Sequence, residues 1–460
     1  MIIPSANGTR ATGAASSAPT KILSEQYTSY KDAVISVRKA LYGQTTSFIF
    51  ALLLPFSSYW RLGNSTFPGL LDLYVVPVFY LSDLALAAFL LTGVIKLFRE
   101  GIPKRRLYIF AAPLLSFGGL ALLTAPFALD PALAGYTALR WLIAAAVSLR
   151  FLQGDIHLPS FVKVFVAGLL VHVAVGVGQV LAQGPLGLAG EMALPLTQPG
   201  VAIVALAGRN WLRAYGMTFH PNVLGGYLVV ALLLGMPLLS RRFGWILLWW
   251  TLWGGLFLTF SRSAALAAIL TVPVLAAWLF WKQPSGRRSL ATALAGVALI
   301  GAVGGVIFAE QLLVRLRTAT ATEALSITER GAQIQTAIGI LAARPLNGVG
   351  AGNFPLAVQP SATARRPLPV HNVPLLLASE VGVLGGALWI WIFLAALVML
   401  IREGRRLNVW AFSGLCAWLA LCIIALFDYY PWGLNTGCLL SATILGLTSC
   451  AILEEDSLEQ

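Results

Sequence analysis

At 460 residues the chain is long enough for several domains, yet 58% of it is hydrophobic and only 11% charged, with a mean hydropathy of +0.81. That composition excludes an ordinary soluble enzyme and makes the lipid bilayer the solvent. The formal charge of +13 does not indicate nucleic acid, because the basic residues are dealt out between apolar segments.

Residues 1–20 are rich in Ser, Ala, Thr and Gly and lack the apolar core of a signal peptide, so they read as a disordered cytoplasmic tail. Leu23, Tyr27, Tyr30, Val34, Val37 and Leu41 then recur at steps of four and three with charges between, as in an amphipathic helix lying in the interface. A span needs about 20 mostly apolar residues. Twelve candidates follow, near 45–60, 71–97, 107–127, 132–151, 158–182, 220–239, 243–260, 263–281, 289–308, 374–400, 408–427 and 432–452. The fold class is therefore all-α and polytopic, with about 12 transmembrane helices. Residues 1–44 form the tail and interfacial helix, 45–308 spans 1–9, 309–373 a large loop domain between spans 9 and 10, 374–452 spans 10–12, and 453–460 a second cytoplasmic tail. Pro55 and the run Tyr59-Trp60-Arg61 leave the first span's end open.

Four connections are basic: Lys96, Arg99, Lys104, Arg105 and Arg106 in one, Arg241 and Arg242 in the next, Lys282, Arg287 and Arg288 in a third, Arg402, Arg405 and Arg406 in a fourth. All four fall on one side, which the positive-inside tendency makes the cytoplasm. Both termini are then cytoplasmic, and two longer connections, about 183–219 and 309–373, lie outside. The outer basic residues are Arg61, Arg209, Arg213, Arg262, Arg315, Arg317, Arg330, Arg344, Arg365 and Arg366, without a Lys. Arginine's planar fork binds phosphate bidentately and keeps its charge when partly dehydrated, so the asymmetry suits an outer anionic ligand, although arginines outnumber lysines throughout the chain.

Four segments carry candidate chemistry. RAYGMTFHPNVLGG, residues 213–226, ends a loop and starts a span; Pro221 and Asn222 suit any helix start, while Arg213 and His220 add a functional hint. TFSRS, residues 259–263, puts Arg262 at a span boundary, where an arginine ordinarily snorkels to the interface. Residues 328–354, TERGAQIQTAIGILAARPLNGVGAGNF, read as a short amphipathic helix from Glu329, holding Arg330 near the headgroups, followed by Arg344 and a Gly-rich turn. That turn lacks the Lys and Ser/Thr of a P-loop and reads as structural. In VHNVPLLLASEVGVLGG, residues 370–386, His371 and Asn372 enter a span at its outer end. There His371 is either a capping residue or, with its neutral form favoured by nearby arginines, a general base.

Asp83, midway along span 2, and Arg140, within span 4, lie at comparable depth from the outer face and are expected to pair. His172 and His157 read as structural. Cys416, Cys422, Cys438 and Cys450 lack metal-site spacing and read as packing; no metal or cofactor is expected.

Taken in this order, HPNVLGG, TFSRS, the Arg-led helix before PLNGVGAGNF, and HNVPLLLASEVGVLGG resemble the O-antigen ligase and polymerase superfamily, through motifs over roughly residues 200–390 and through the span pattern over the whole chain. The resemblance implies a GT-C-like membrane glycosyltransferase. It would carry out metal-independent, inverting transfer of a glycan from an undecaprenyl-diphosphate-linked donor to an acceptor hydroxyl, on lipid A-core or another surface acceptor, at the periplasmic face of the bacterial inner membrane. By motif, the functional positions fall on Arg262, Arg330 and His371. The two arginines would hold the diphosphate, and His371 would act as the base or as a diphosphate contact. Arg213, His220, Asn222, Arg344 and Asn372 are the further substrate-binding candidates. Ile334 departs from the large aromatic often found at its position. Alternatives are a polysaccharide polymerase of the same superfamily, or a transporter of lipid-linked glycans, for which no repeat between the halves is evident.

Overall fold

The computed structural model describes residues 43–63, 74, 76–100, 111–198, 200–206, 209–240, 242–307, 309, 321–358 and 368–458. The expected interfacial helix over 23–41, and Arg315, Arg317, Arg365 and Arg366, lie outside them.

The described residues are mostly helical, in the order α1 (Gly43–Leu53), a strand pair β1 (Tyr59–Arg61) and β2 (Val78–Tyr80), α2 (Leu81–Glu100), α3 (Ala111–Thr124), α4 (Pro131–Phe151) and α5 (Leu158–Ala182). A second pair, β3 (Ile203–Leu206) and β4 (Arg209–Leu212), precedes α6 (Pro221–Gly235), α7 (Phe243–Thr259), α8 (Arg262–Lys282) and α9 (Arg287–Ile307). Then come α10 (Ala321–Ala343), α11 (Val373–Val381), α12 (Val383–Glu403), α13 (Val409–Ala425) and α14 (Asn435–Leu458). Among the described residues eight helices are long and apolar enough to cross a bilayer, α2, α4, α5, α6 with its continuation to Leu238, α8, α9, α12 and α14. The other four expected spans contain shorter apolar helices, α1, α3, α7 and α13. The protein is thus a multi-pass membrane protein.

Four expectations change. The first span stops at Leu53, since Pro55 cannot continue the helix hydrogen bonding. The second begins ten residues later than expected, because Val76-Pro77-Val78 favours extended backbone and β2 pairs antiparallel with β1, Tyr59 opposite Tyr80. Asp83 therefore sits in the first turn of α2, not midway along a span. The tenth is broken at Gly382, whose φ of +84° ends α11. There the Gly-rich turn covers the released carbonyls: the amides of Val349 and Gly350 donate to Ser379 and Glu380 at 2.9 and 2.8 Å, and Val383 donates to Pro345 O at 2.8 Å. This gives the turn the structural task its sequence suggested. The loop helix α10 is also longer than expected, starting before Glu329.

Side-chain caps set several helix starts. Asp130 accepts from the amides of Ala132 and Leu133 ahead of α4, His220 from Asn222 ahead of α6, Asn372 from Leu375 ahead of α11, and Asn408 from Trp410 and Ala411 ahead of α13. Asp83 and Arg140 pair as expected, through two contacts of 2.8 Å; Arg140 also donates to Val78 O at 2.7 Å and Tyr136 Oη at 3.1 Å, tying the strand pair to α4. His172 Nδ1 accepts from Met217 N, and the four cysteines are buried thiols outside any disulfide.

Basic side chains gather at one end of the bundle. Arg150, at the end of α4, grips Asp155 bidentately, and Lys96 on α2 lies 3.5 Å from the same carboxylate. Lys282, ending α8, donates to Arg405 O, and Trp278 stacks on Phe412 at the start of α13. Because α8 and α13 thereby run antiparallel, the start of α8 and the end of α13 meet at the opposite end. Nearly all of α6 is buried among its neighbours, whereas α9 is buried on only a narrow stripe.

Candidate functional site

At the end of the bundle away from that basic cluster, the four motif segments converge. The two glycines of HPNVLGG make the approach possible. A Cβ on Gly225 would come within 3.0 Å of Ser261 and Ala264 in the TFSRS turn, and one on Gly226 would overlap the Tyr430 hydroxyl. Close backbone contact of this kind needs glycine.

Arg213 is buried between these segments. It donates from Nε to Thr259 O at 2.7 Å and from Nη2 to Asn222 Oδ1 at 2.6 Å, and Asn222 in turn donates from Nδ2 to Asp428 Oδ2 at 2.8 Å. Arg213 and Asn222 therefore act as a brace that fixes a carboxylate. His220 caps α6 through Nδ1. Arg262 occupies the first position of α8, exposed, just after Ser261, whose hydroxyl accepts from Ala264 N. It stands at a helix N-terminus, where the peptide dipoles favour an anion.

His371 lies just before α11. Its Nδ1 is 2.8 Å from Gln333 Oε1 on α10, one turn from Arg330 on the same face, and its ring meets Tyr429 edge-on at 5.0 Å. Tyr429 hydrogen-bonds through its hydroxyl to Tyr74. Asn372 caps α11 and donates to Leu426 O at 3.2 Å, which fastens His371 to the end of α13. Burial lowers the His371 pKa to about 4; the charge of Asp428 opposes this and that of Arg330 adds to it. With the Gln333 oxygen as acceptor, Nδ1 carries the proton and Nε2 keeps its lone pair. Burial, with the neighbouring Asp428 charge, also pushes the Tyr429 phenol upward, keeping it protonated.

Arg344 ends up exposed after α10, beside Pro345 and Leu346, and away from the contacts that surround His371. The structure thus brings Arg330 and His371 into one electrostatic neighbourhood, puts Arg213 and Asn222 behind Asp428, and leaves Arg344 on the surface. Asp428, Tyr429 and Gln333 escaped the sequence reading. The signals were present: a carboxylate at the outer end of a span beside Tyr429-Tyr430, and a glutamine three residues after Arg330.

No curated protein matches the chain. Residues 245–390 match the family model described as O-antigen ligase, a stretch that holds Arg262, Arg330, Arg344, His371 and Asn372 and stops short of Arg213, His220, Asn222 and Asp428. Over this segment, roughly a third of its length, the chain is similar to the O-antigen ligase family.

Proposed function

We propose that the protein transfers a glycan from an undecaprenyl-diphosphate-linked donor to an acceptor hydroxyl, on lipid A-core or another surface acceptor, at the periplasmic face of the inner membrane, in a GT-C-like, metal-independent and inverting reaction. The observation that carries the proposal is His371. It is a neutral imidazole with Nδ1 anchored by Gln333 and Nε2 available, within the electrostatic reach of both Asp428 and Arg330. Nε2 takes the proton of the acceptor hydroxyl as its oxygen attacks the anomeric carbon from the face opposite the diphosphate. The bond from that carbon to the diphosphate oxygen breaks, and its electron pair leaves with the lipid diphosphate. Arg262 and Arg330 meet the charge that grows there, fixed before the reaction so that little reorganisation opposes it. Asp428, braced by Asn222 and Arg213, steadies the imidazolium once it forms.

The test is glycan transfer by the protein reconstituted in liposomes with a lipid-linked donor, a candidate acceptor and EDTA, for wild type and for Arg262→Ala, Arg330→Ala and His371→Ala at matched folding. Loss of transfer of about a hundredfold or more in each variant, with wild type active in EDTA and without nucleotide, is the expected result. Full activity in the variants overturns the site. Extension of the donor alone, without the separate acceptor, makes the protein a polymerase instead.

A further inference from the structure

Beside this site lies a cavity of about 70 Å³ that the proposed chemistry leaves unused, enclosed by β2, the start of α4, the end of α11 and the start of α14. Tyr74 forms part of its wall and is hydrogen-bonded to Tyr429, the residue whose ring meets His371; Pro369, two residues before His371, forms another part. The cavity is therefore linked to His371 through Tyr74 and Tyr429 on one side and through the chain from Pro369 on the other.

The cavity's chemistry is specific. Glu380 lines it with a carboxyl only 3% exposed, held by the amides of Gly352 and Phe354, and no ion pair to it is found among the described residues. A buried carboxyl group with no cation beside it is costly to ionise and marks a functional position. Two further lining residues carry buried N–H groups with no hydrogen-bond partner among the described residues, Trp432 Nε1 and Asn435 Nδ2. Trp432 itself is 3% exposed. Apolar surface from Trp141, Leu376 and Cys438 completes the walls. Arg140 also lines the cavity, but its guanidinium is engaged by Asp83, Val78 O and Tyr136, which argues against a phosphate.

About 70 Å³ is room for a few ordered waters or for one substituent of a few heavy atoms. A carboxylate substituent would be repelled by Glu380, an ammonium would leave both N–H donors unpaired, and a bare hydroxyl would leave the apolar wall uncovered. A secondary amide with a methyl group matches each part: its N–H donates to Glu380, its carbonyl accepts from Trp432 and Asn435, and its methyl meets the apolar wall. We infer that the cavity receives the acetamido arm of an acetamido sugar in one of the two glycan substrates, so that the sugar ring itself lies beside His371. The inference rests on the transferase reading only for the ring's being a substrate; the pocket's preference for the acetamido group stands on the lining residues.

The test pairs substrates that differ by acetamido against hydroxyl at one carbon, first in the donor and then in the acceptor, with the full-length protein in liposomes. In one arm the acetamido substrate should show kcat/KM about ten- to a hundredfold higher, as a site built to hydrogen-bond a group discriminates against its absence. The arm identifies which glycan occupies the site. Trp432→Phe, which keeps an aromatic ring and loses the N–H, and Glu380→Gln should each cut the preference to within about threefold. Equal use of both substrates in both arms, or an undiminished preference in both variants, overturns the inference. A second measurement needs no transfer: methyl acetamido glycoside should raise the thermal stability of wild type above what the parent methyl glycoside gives, and should fail to do so in the two variants. If that difference appears while no substrate is transferred, the pocket stands and the transferase reading falls. If neither transfer nor the difference is seen, both fall.

Discussion

His371 is held neutral by burial, and two charges pull on its proton from opposite sides, Asp428 raising its affinity and Arg330 lowering it. The acid limb of a transfer-against-pH profile should accordingly lie near the lowered value of about 4, not near 6.5. Arg330→Gln should move the limb upward and Asp428→Asn downward; the two shifts have opposite sign, and a limb that ignores both would remove His371 from the titration. Stability follows with a definite sign. Between about 6.5 and about 4 the unfolded chain binds a proton that the folded imidazole does not, so the folded state loses stability as pH falls through that window and His371→Gln should flatten the loss. Arg262, Arg330 and His371 were legible because each stands in a short motif of fixed spacing. Asp428 was not, since a single carboxylate at a span end carries no pattern, and only folding brings Asn222 to it from 206 residues away.

Helix breaks decide how elements present these residues. Gly382 has φ +84°, and a Cβ there would come within 2.1 Å of Leu346 O. Gly382→Ala should therefore lower stability by at least about 1–3 kcal/mol from backbone strain, measured by thermal unfolding in detergent. It should also depress transfer, since the same turn positions the end of α11. The tenth span looked continuous in sequence because its apolar run is unbroken, and a single glycine in such a run does not announce the left-handed conformation. The strand pair is anchored differently, by the Asp83–Arg140 bridge. Arg140→Met alone should destabilise by about 3–5 kcal/mol, because it strands a buried carboxylate, whereas Asp83→Leu with Arg140→Met should recover most of the loss. Additive losses in that double-mutant cycle would show that the two side chains stabilise the fold independently. Their pairing was legible from matched depth, yet the depth itself was misjudged, because hydropathy does not distinguish an apolar strand from the start of a helix.

At the scale of the molecule, the apolar runs made the all-helical, multi-pass character legible but not the helices' lengths, because hydropathy does not mark where Pro55, the strand at Val78 or Gly382 ends a helix. The orientation in the membrane has a direct check. The four native cysteines are buried, so introduced cysteines report alone. A membrane-impermeant thiol reagent added outside should label Arg344→Cys in intact cells, and Arg288→Cys only after permeabilisation; the reverse pattern would turn the site toward the cytoplasm. One further consequence follows from α6, which is enclosed by α5, α7, α8 and α13. During synthesis it enters the bilayer when α5 is its only completed neighbour among these, and α13 emerges almost 190 residues afterwards. Its Leu, Val and Ala side chains are at home in lipid, so the helix first lives as an ordinary membrane span and later becomes interior. The partners added last must displace acyl chains from around it, and a nascent chain stopped before α13 should show quality-control proteases a glycine-notched surface that the finished protein never exposes.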